Sequence, residues 1–193
     1  NPNPEVLGPL LEAGFSVNEV NQTPLKKFGE DVLNNCRNSG WTPLMYAADE
    51  NNAEMVEALL DAGADANMRG NAYGYSALHL AAMNANPDIS IIKNLLEAGA
   101  DVNARSAESD FYQGGNTALM YVLGHEINPS WAAKGRSRYF KARTTDAEIV
   151  DLLIRAGADV NNVNGRGQTP LMSAAINCNH TIVERLLDAG ADL

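Results

Sequence analysis

A nine-letter phrase recurs along this chain with small changes, and that recurrence limits the fold more than any other feature. It reads LLDAGADAN at Leu59–Asn67, LLEAGADVN at Leu95–Asn103, LIRAGADVN at Leu153–Asn161 and LLDAGADL at Leu186–Leu193. A second box precedes each copy: TPLMYAA from Thr42, SALHLAA from Ser76, TALMYVL from Thr117 and TPLMSAA from Thr169. A segment of this size cannot bury an apolar face alone, so units of one pattern must cover each other in a row. The 193 residues therefore read as one stacked array and not as separate domains.

The chemistry of each box predicts helices. A hydroxyl residue opens the first box, where it can cap a helix, and Pro43 and Pro170 suit a first helical turn. Ala47-Ala48, Ala81-Ala82 and Ala174-Ala175 are small enough for neighbouring helices to approach closely. Ahead of the second box, Met55, Val56, Leu59 and Leu60, and likewise Ile149, Val150, Leu153 and Ile154, recur at helical spacing. Gly63, Gly99, Gly157 and Gly190 stand where a helix ends in a left-handed residue.

The paired boxes, cycling at about 33 residues, resemble the ankyrin repeat. The resemblance covers Gly40 to the end, with both boxes present in four copies. It implies an all-α solenoid of about four repeats with an N-terminal capping half-repeat. It also implies a protein-binding role without catalysis. The wording TPLMYAA and TPLMSAA with AGADVN resembles bacterial members more than the TPLHLAA-dominated eukaryotic ones.

Spacing locates the irregularities. Thr42 to Asp65 and Thr169 to Asp192 each span 23 residues, whereas Ser76 to Asp101 spans 25 and Thr117 to Asp159 spans 42. About 19 residues are thus inserted in the third unit, and two near Asn86-Pro87. The interval from Asp101 to Thr117 is 16 residues against 10 from Asp159 to Thr169, so the finger around 106–115 is extended. The expected division is 1–40 as N-terminal cap and long finger, 41–74 as repeat 1 and 75–115 as repeat 2 with the extended finger. Repeat 3 is 116–167 with a basic insertion at 127–145, and repeat 4 is 168–193. Leu10–Asn18 looks like the end of an outer helix. Thr23-Pro24-Leu25 is a decoy box inside a long finger, with one short helix around Leu25–Leu33.

Net charge is −10, with 24 acids against 14 bases, which disfavours nucleic acid and anionic membranes as partners. No apolar run approaches the roughly 18 residues of a membrane span. The opening NPNP lacks an initiator Met and an apolar leader, as after leader cleavage or trimming, and the abrupt last repeat reads as a trimmed or ragged terminus. A periplasmic or secreted location is favoured over a cytoplasmic one. Cys36 and Cys178 lie several repeats apart, too far for a disulfide, and read as free or buried thiols.

The strongest binding candidate is the basic insertion. From Ile127 to Thr145 it carries Lys134, Arg136, Arg138, Lys141 and Arg143 without an acid, so +5 sits against −15 elsewhere. Trp131, Tyr139 and Phe140 accompany the cations, a composition common in binding hot spots; the plain alternative is a solvated loop folded back on the array.

The family binds partners with finger tips and exposed inner-helix turns. Carried onto this chain, these are Trp41, Asp49 and Glu50, then Met68, Arg69, Tyr73, Tyr75, Met83 and Asn84. Phe111, Tyr112, Asn116 and His125 follow, then Arg166, Gln168, Ile176 and Asn177. Exposed aromatics generally have a partner to cover them, but some of these can pack between fingers instead. His79 has a structural place in its TPLH-type box, hydrogen-bonding neighbouring fingers. His125 and His180 have no ligand partners at metal spacing, and no HExxH, P-loop or GxSxG is present. No catalytic, cofactor or metal site is expected.

Two functions compete. One is an inhibitor or immunity protein, monomeric before binding, that occludes a cognate secreted or periplasmic hydrolase, including one acting on the cell wall. The other is a scaffold or adaptor domain of a longer effector or signalling protein.

Overall fold

A computed structural model describes residues 7–12, 14, 16–20, 40–70, 73–84, 86–108, 114–124, 144–176 and 179–193. Within them α1 is Leu7–Glu12, α2 Pro43–Asp49, α3 Ala53–Asp61, α4 Ala77–Ala82 and α5 Ile89–Glu97. Then follow α6 Ala118–Val122, α7 Thr144–Arg155, α8 Pro170–Ile176 and α9 His180–Asp188. The first box of each unit forms a short helix and the apolar run before AGAD forms the second. Helices α2, α4, α6 and α8 stack as an inner layer, and α3, α5, α7 and α9 stack as an outer one. The chain is an all-α solenoid, and the only ladder pairing among the described residues is Gly70 with Tyr75 in a finger.

The core lies between the layers. Ala47, Ala48, Ala81 and Ala82 are buried where inner helices meet, and Val56, Leu59, Ile92, Leu95, Ile149, Val150 and Leu153 fill the outer side. Leu60 and Ile154 are only partly covered. Small residues inside and branched ones outside bring the helix pairs close enough for dense packing.

Caps follow the sequence in part. Thr42 and Thr169 accept from the Met45 and Met172 N–H groups at 3.3 and 3.2 Å. Asn52 and Asn179 cap α3 and α9 in the same way, and Asp88 caps α5 by accepting the Ser90 N–H at 2.9 Å. Thr117 does not cap: its Oγ1 is buried with no hydrogen-bond partner. Ser76 does not follow the simple pattern either, because its hydroxyl lies 2.8 Å from His79 Nδ1.

Gly63, Gly99, Gly157 and Gly190 have φ of 85°, 82°, 89° and 90°, as a left-handed helix end requires. Gly70 answers a different need. A Cβ there would stand 2.7 Å from the Gly40 carbonyl oxygen and 2.8 Å from Met45 Sδ and from Trp41 Cδ1. Ala175 departs from expectation, since it is exposed while its counterparts Ala48 and Ala82 are buried.

Candidate protein-binding surface

Asparagine side chains lock the units in register. Asn67 donates from Nδ2 to the Gly99 carbonyl at 2.9 Å and accepts the Asp101 N–H at 2.7 Å. Asn103 repeats this with Gly157 and Asp159 at 2.9 and 2.7 Å, and Asn161 with Gly190 and Asp192 at 3.0 and 2.8 Å. Asn18 makes the same pair of bonds to Gly63 and Asp65, at 3.5 and 2.8 Å. Each rung joins one finger base to the next helix end, so the row of fingers is fixed in spacing. The last letter of the repeated phrase carries this work, a role the sequence reading did not assign.

Further bonds tie finger to finger. The Ala107 N–H donates to the Tyr73 carbonyl at 2.7 Å, and the Gly165 N–H to the Gly114 carbonyl at 2.9 Å. Arg105 reaches Asn162 Oδ1 at 2.8 Å and the Val163 carbonyl at 3.0 Å, and pairs with Glu108 at 3.1 Å. Buried Asn164 donates to Asn116 Oδ1 at 2.9 Å. Arg105, Asn162 and Asn164 were not singled out from sequence. Their signal was position: polar residues three to five places past the Asp of the AGAD phrase face a neighbouring finger.

His79 sits at the centre of this edge. Its Nδ1 accepts the Ser76 N–H at 3.1 Å, which leaves Nε2–H to donate to the Asn116 carbonyl at 3.2 Å. Complete burial, together with the Arg69 charge, outweighs the Asn116 carbonyl and lowers its pKa to about 4. The imidazole is therefore neutral at pH 7 and structural. Tyr75 stands edge-on to Tyr121, with centroids 5.8 Å apart, and His79 lies 5.7 Å from Tyr121.

Three residues expected at the binding surface lie in the core instead. Trp41 is buried with its ring edge-on to Tyr46 at 5.2 Å, Tyr75 is buried in the aromatic cluster, and Met83 is buried at the end of α4. Their area serves packing between units, so they are not available to a partner. Asn116 is likewise buried, and Asn84 uses its amide to donate to the Asp49 carbonyl at 2.8 Å.

The other described candidates stay accessible. Glu50, Arg69, Arg166 and Ile176 are exposed, and Asp49, Met68, Tyr73 and Gln168 are partly covered. Arg69 Nε donates to the Gly74 carbonyl at 3.0 Å, and Tyr73 stacks on Tyr75 at 5.6 Å. This gives an edge of pre-set polar and aromatic groups. Phe111, Tyr112, His125, Trp131, Arg136, Arg138, Tyr139, Phe140 and Asn177 lie outside the described residues, as do Cys36, Cys178 and the expected helix at Leu25–Leu33.

Among the described residues no group of three or more His, Cys, Asp or Glu is placed to hold a metal ion. None of their helices is long and apolar enough to cross a membrane.

Comparison with known proteins agrees with this architecture. Residues 2–106 and 124–193 match the family described as ankyrin repeats (3 copies). The ARF GTPase-activating protein Git of Drosophila melanogaster is 44% identical over 55 residues, which is 28% of this chain and 8% of that protein. The human mitochondrial disaggregase is 39% identical over 71 residues, 37% of this chain and 10% of that protein. A putative ankyrin repeat protein of Acanthamoeba polyphaga mimivirus is 27% identical over 161 residues, 76% of this chain and 20% of that protein.

The chain thus spans a fifth or less of the length of these three relatives. They are animal and viral, so the bacterial resemblance rests on the wording of the boxes alone. Ankyrin repeats are protein-binding modules and typically non-catalytic. With its boxes, its two helical layers and its finger row in place, the chain belongs to the ankyrin-repeat family.

Proposed function

We propose that this chain docks a folded protein against its finger edge and inner-helix turns, through Asp49, Glu50, Met68, Arg69, Tyr73 and Arg166. The observation that carries the reading is the asparagine ladder with its finger-to-finger bonds, which sets the spacing of these groups before a partner arrives. A surface ordered in advance loses less entropy on binding than a mobile one. Arg69 and Arg166 offer forked donors to carboxylates, and Tyr73 offers area with few rotamers to lose.

Occlusion is the finer reading. By covering a cognate hydrolase, a secreted or cell-wall-acting one included, the module would exclude substrate as an inhibitor or immunity protein does. Two insertions in an otherwise regular array support one dedicated target. The competing adaptor reading has support of its own, because the compared relatives are much longer than this chain.

Affinity capture from an extract of the source organism tests both, using wild type, an Arg69→Ala/Tyr73→Ala/Arg166→Ala variant and an outer-helix control, Lys93→Ala. A hydrolase held by wild type and the control, lost by the triple variant, and inactive while bound would support occlusion. A partner lost in the same way with its activity intact would support the adaptor reading. If all three proteins capture one and the same set, the finger edge is not the binding surface.

A further inference from the structure

Asn164-Gly165 is the only Asn-Gly pair in the chain. Glycine has no side chain to shield its amide nitrogen or to restrict its approach to the preceding residue. In such a pair the Gly165 nitrogen, after losing its proton to hydroxide, attacks Asn164 Cγ. The Cγ–Nδ2 bond then breaks, Nδ2 takes a proton from water and leaves as ammonia, and a cyclic imide remains. Water adds to either imide carbonyl and opens the ring to aspartate or to isoaspartate. The balance is one water consumed and one ammonia released, with no change of oxidation state.

Each reacting group is held at the junction of two fingers. The Gly165 N–H donates to the Gly114 carbonyl at 2.9 Å. Asn164 Nδ2 donates to Asn116 Oδ1 at 2.9 Å, and Asn164 Oδ1 accepts the Arg166 and Gln168 N–H groups at 2.9 and 3.0 Å. Asn164 is buried although Gly165 beside it is exposed. Gly114 and Asn116 both belong to the extended finger, so that one finger restrains the attacking nitrogen and the leaving amide together.

We infer that Asn164 is a latent deamidation site, kept unreactive while the extended finger is docked against it and converted when the two fingers part. The products differ in consequence. Isoaspartate routes the main chain through the former side-chain carbon and so adds a methylene to a tight turn. That turn is closed by the Asn164 N–H to the Gln168 carbonyl at 3.1 Å and the Gly167 N–H to the Asn164 carbonyl at 2.9 Å. Aspartate keeps the turn but has no N–H to offer Asn116. Opening of this junction is thereby recorded in covalent form, and after isoaspartate forms the fingers cannot close as before. The ladder is spared, because Asn67, Asn103 and Asn161 precede Met68, Ala104 and Asn162, whose side chains crowd the attacking nitrogen.

The experiment incubates the full chain at mildly alkaline pH, folded and in denaturing urea, beside Asn116→Ala and Gly165→Ala. Gly165 does not have a positive φ, so alanine suits its backbone. Peptide mass spectrometry reads the amide-to-acid mass gain at Asn164, enzymatic methylation reads isoaspartate, and hydrogen exchange reads the Gly165 amide. The folded chain should convert at least about tenfold more slowly than the unfolded one, because reaction waits for local opening. Asn116→Ala should raise the folded rate about fivefold, the population change expected for one lost hydrogen bond. Gly165→Ala should suppress conversion in urea. Equal rates in the folded and unfolded chain overturn the proposal, and so does an unchanged rate in an Asn116→Ala chain that still unfolds cooperatively. If that variant does not fold, wild type in sub-denaturing urea decides. Conversion and Gly165 exchange should rise together there, and conversion that stays flat while exchange rises overturns the proposal as well.

Discussion

The second and fourth repeats are spelled almost alike, SALHLAA with LLEAGAD against TPLMSAA with LLDAGAD, and their surroundings are opposite. In the second, α4 and α5 have a unit on each side, and Leu78, His79, Leu80, Ile91 and Ile92 are all buried. In the fourth, the junction toward α6 and α7 is closed by Ile182 and Leu186, with Leu171 and Val183 only partly covered, and the other side is open. Arg185 reaches back to Asp151 across the closed junction. Burial in this fold belongs to the junction between two units and not to either unit, so one box has two energies depending on its neighbours.

The comparison breaks most directly at Leu153, buried in the outer layer. Leu153→Ala should cost roughly 2–5 kcal/mol in chemical denaturation, as a core cavity does, and a neutral result would deny the stacked register.

A paired test sharpens it with identical chemistry. Val150 and Val183 hold equivalent places, one fully buried and one partly open. Val150→Ala should cost about 2 kcal/mol and Val183→Ala less than about 1 kcal/mol. Equal losses would show that the two junctions do not differ.

His79 separates the repeats by pH, because the fourth repeat carries Met172 in its place. The unfolded imidazole takes a proton near 6.5 and the folded one only near 4. The unfolded state thus binds more protons between those values, and stability falls as pH drops through the window. By pH 5 the loss is about 2 kcal/mol, read as a shifted urea midpoint. His79→Gln should remove that part of the slope, whatever its effect at pH 7.

The ladder tests the junction from its polar side. Asn103→Ala removes two cross-unit bonds at an exposed site that water can partly replace, so about 1 kcal/mol is expected by denaturant titration. The smallest effect belongs to Met172→Ser, within about 0.5 kcal/mol, because that side chain is half in water.

Particular residues show how much of this was legible. The apolar places of α3, α5 and α7 follow from helical spacing, and the left-handed turns at Gly63 and Gly157 from the AGAD phrase, because helix geometry ties those residue types to those positions locally. His79 as a structural residue was legible from its box. The binding surface was less so. Trp41, Tyr75 and Met83 have the composition of a contact surface and serve the core, because aromatic area packs equally well against a neighbouring unit or a partner. Arg105, Asn162 and Asn164 escaped notice since their partners lie in a neighbouring finger, 48 residues away for Asn164 and Asn116 and 57 for Arg105 and Asn162.

The sequence by itself determined the repeat class, the number of boxed units and the helical character, all of which arise from local spacing. Only the tertiary structure decided which face of each unit is covered, how Asn67, Asn103 and Asn161 count out the spacing, and that Met172 lies open where Met45 and Met120 are closed. The reason is physical: a residue's type reports what its helix needs, while its burial depends on whether another unit stands beside it.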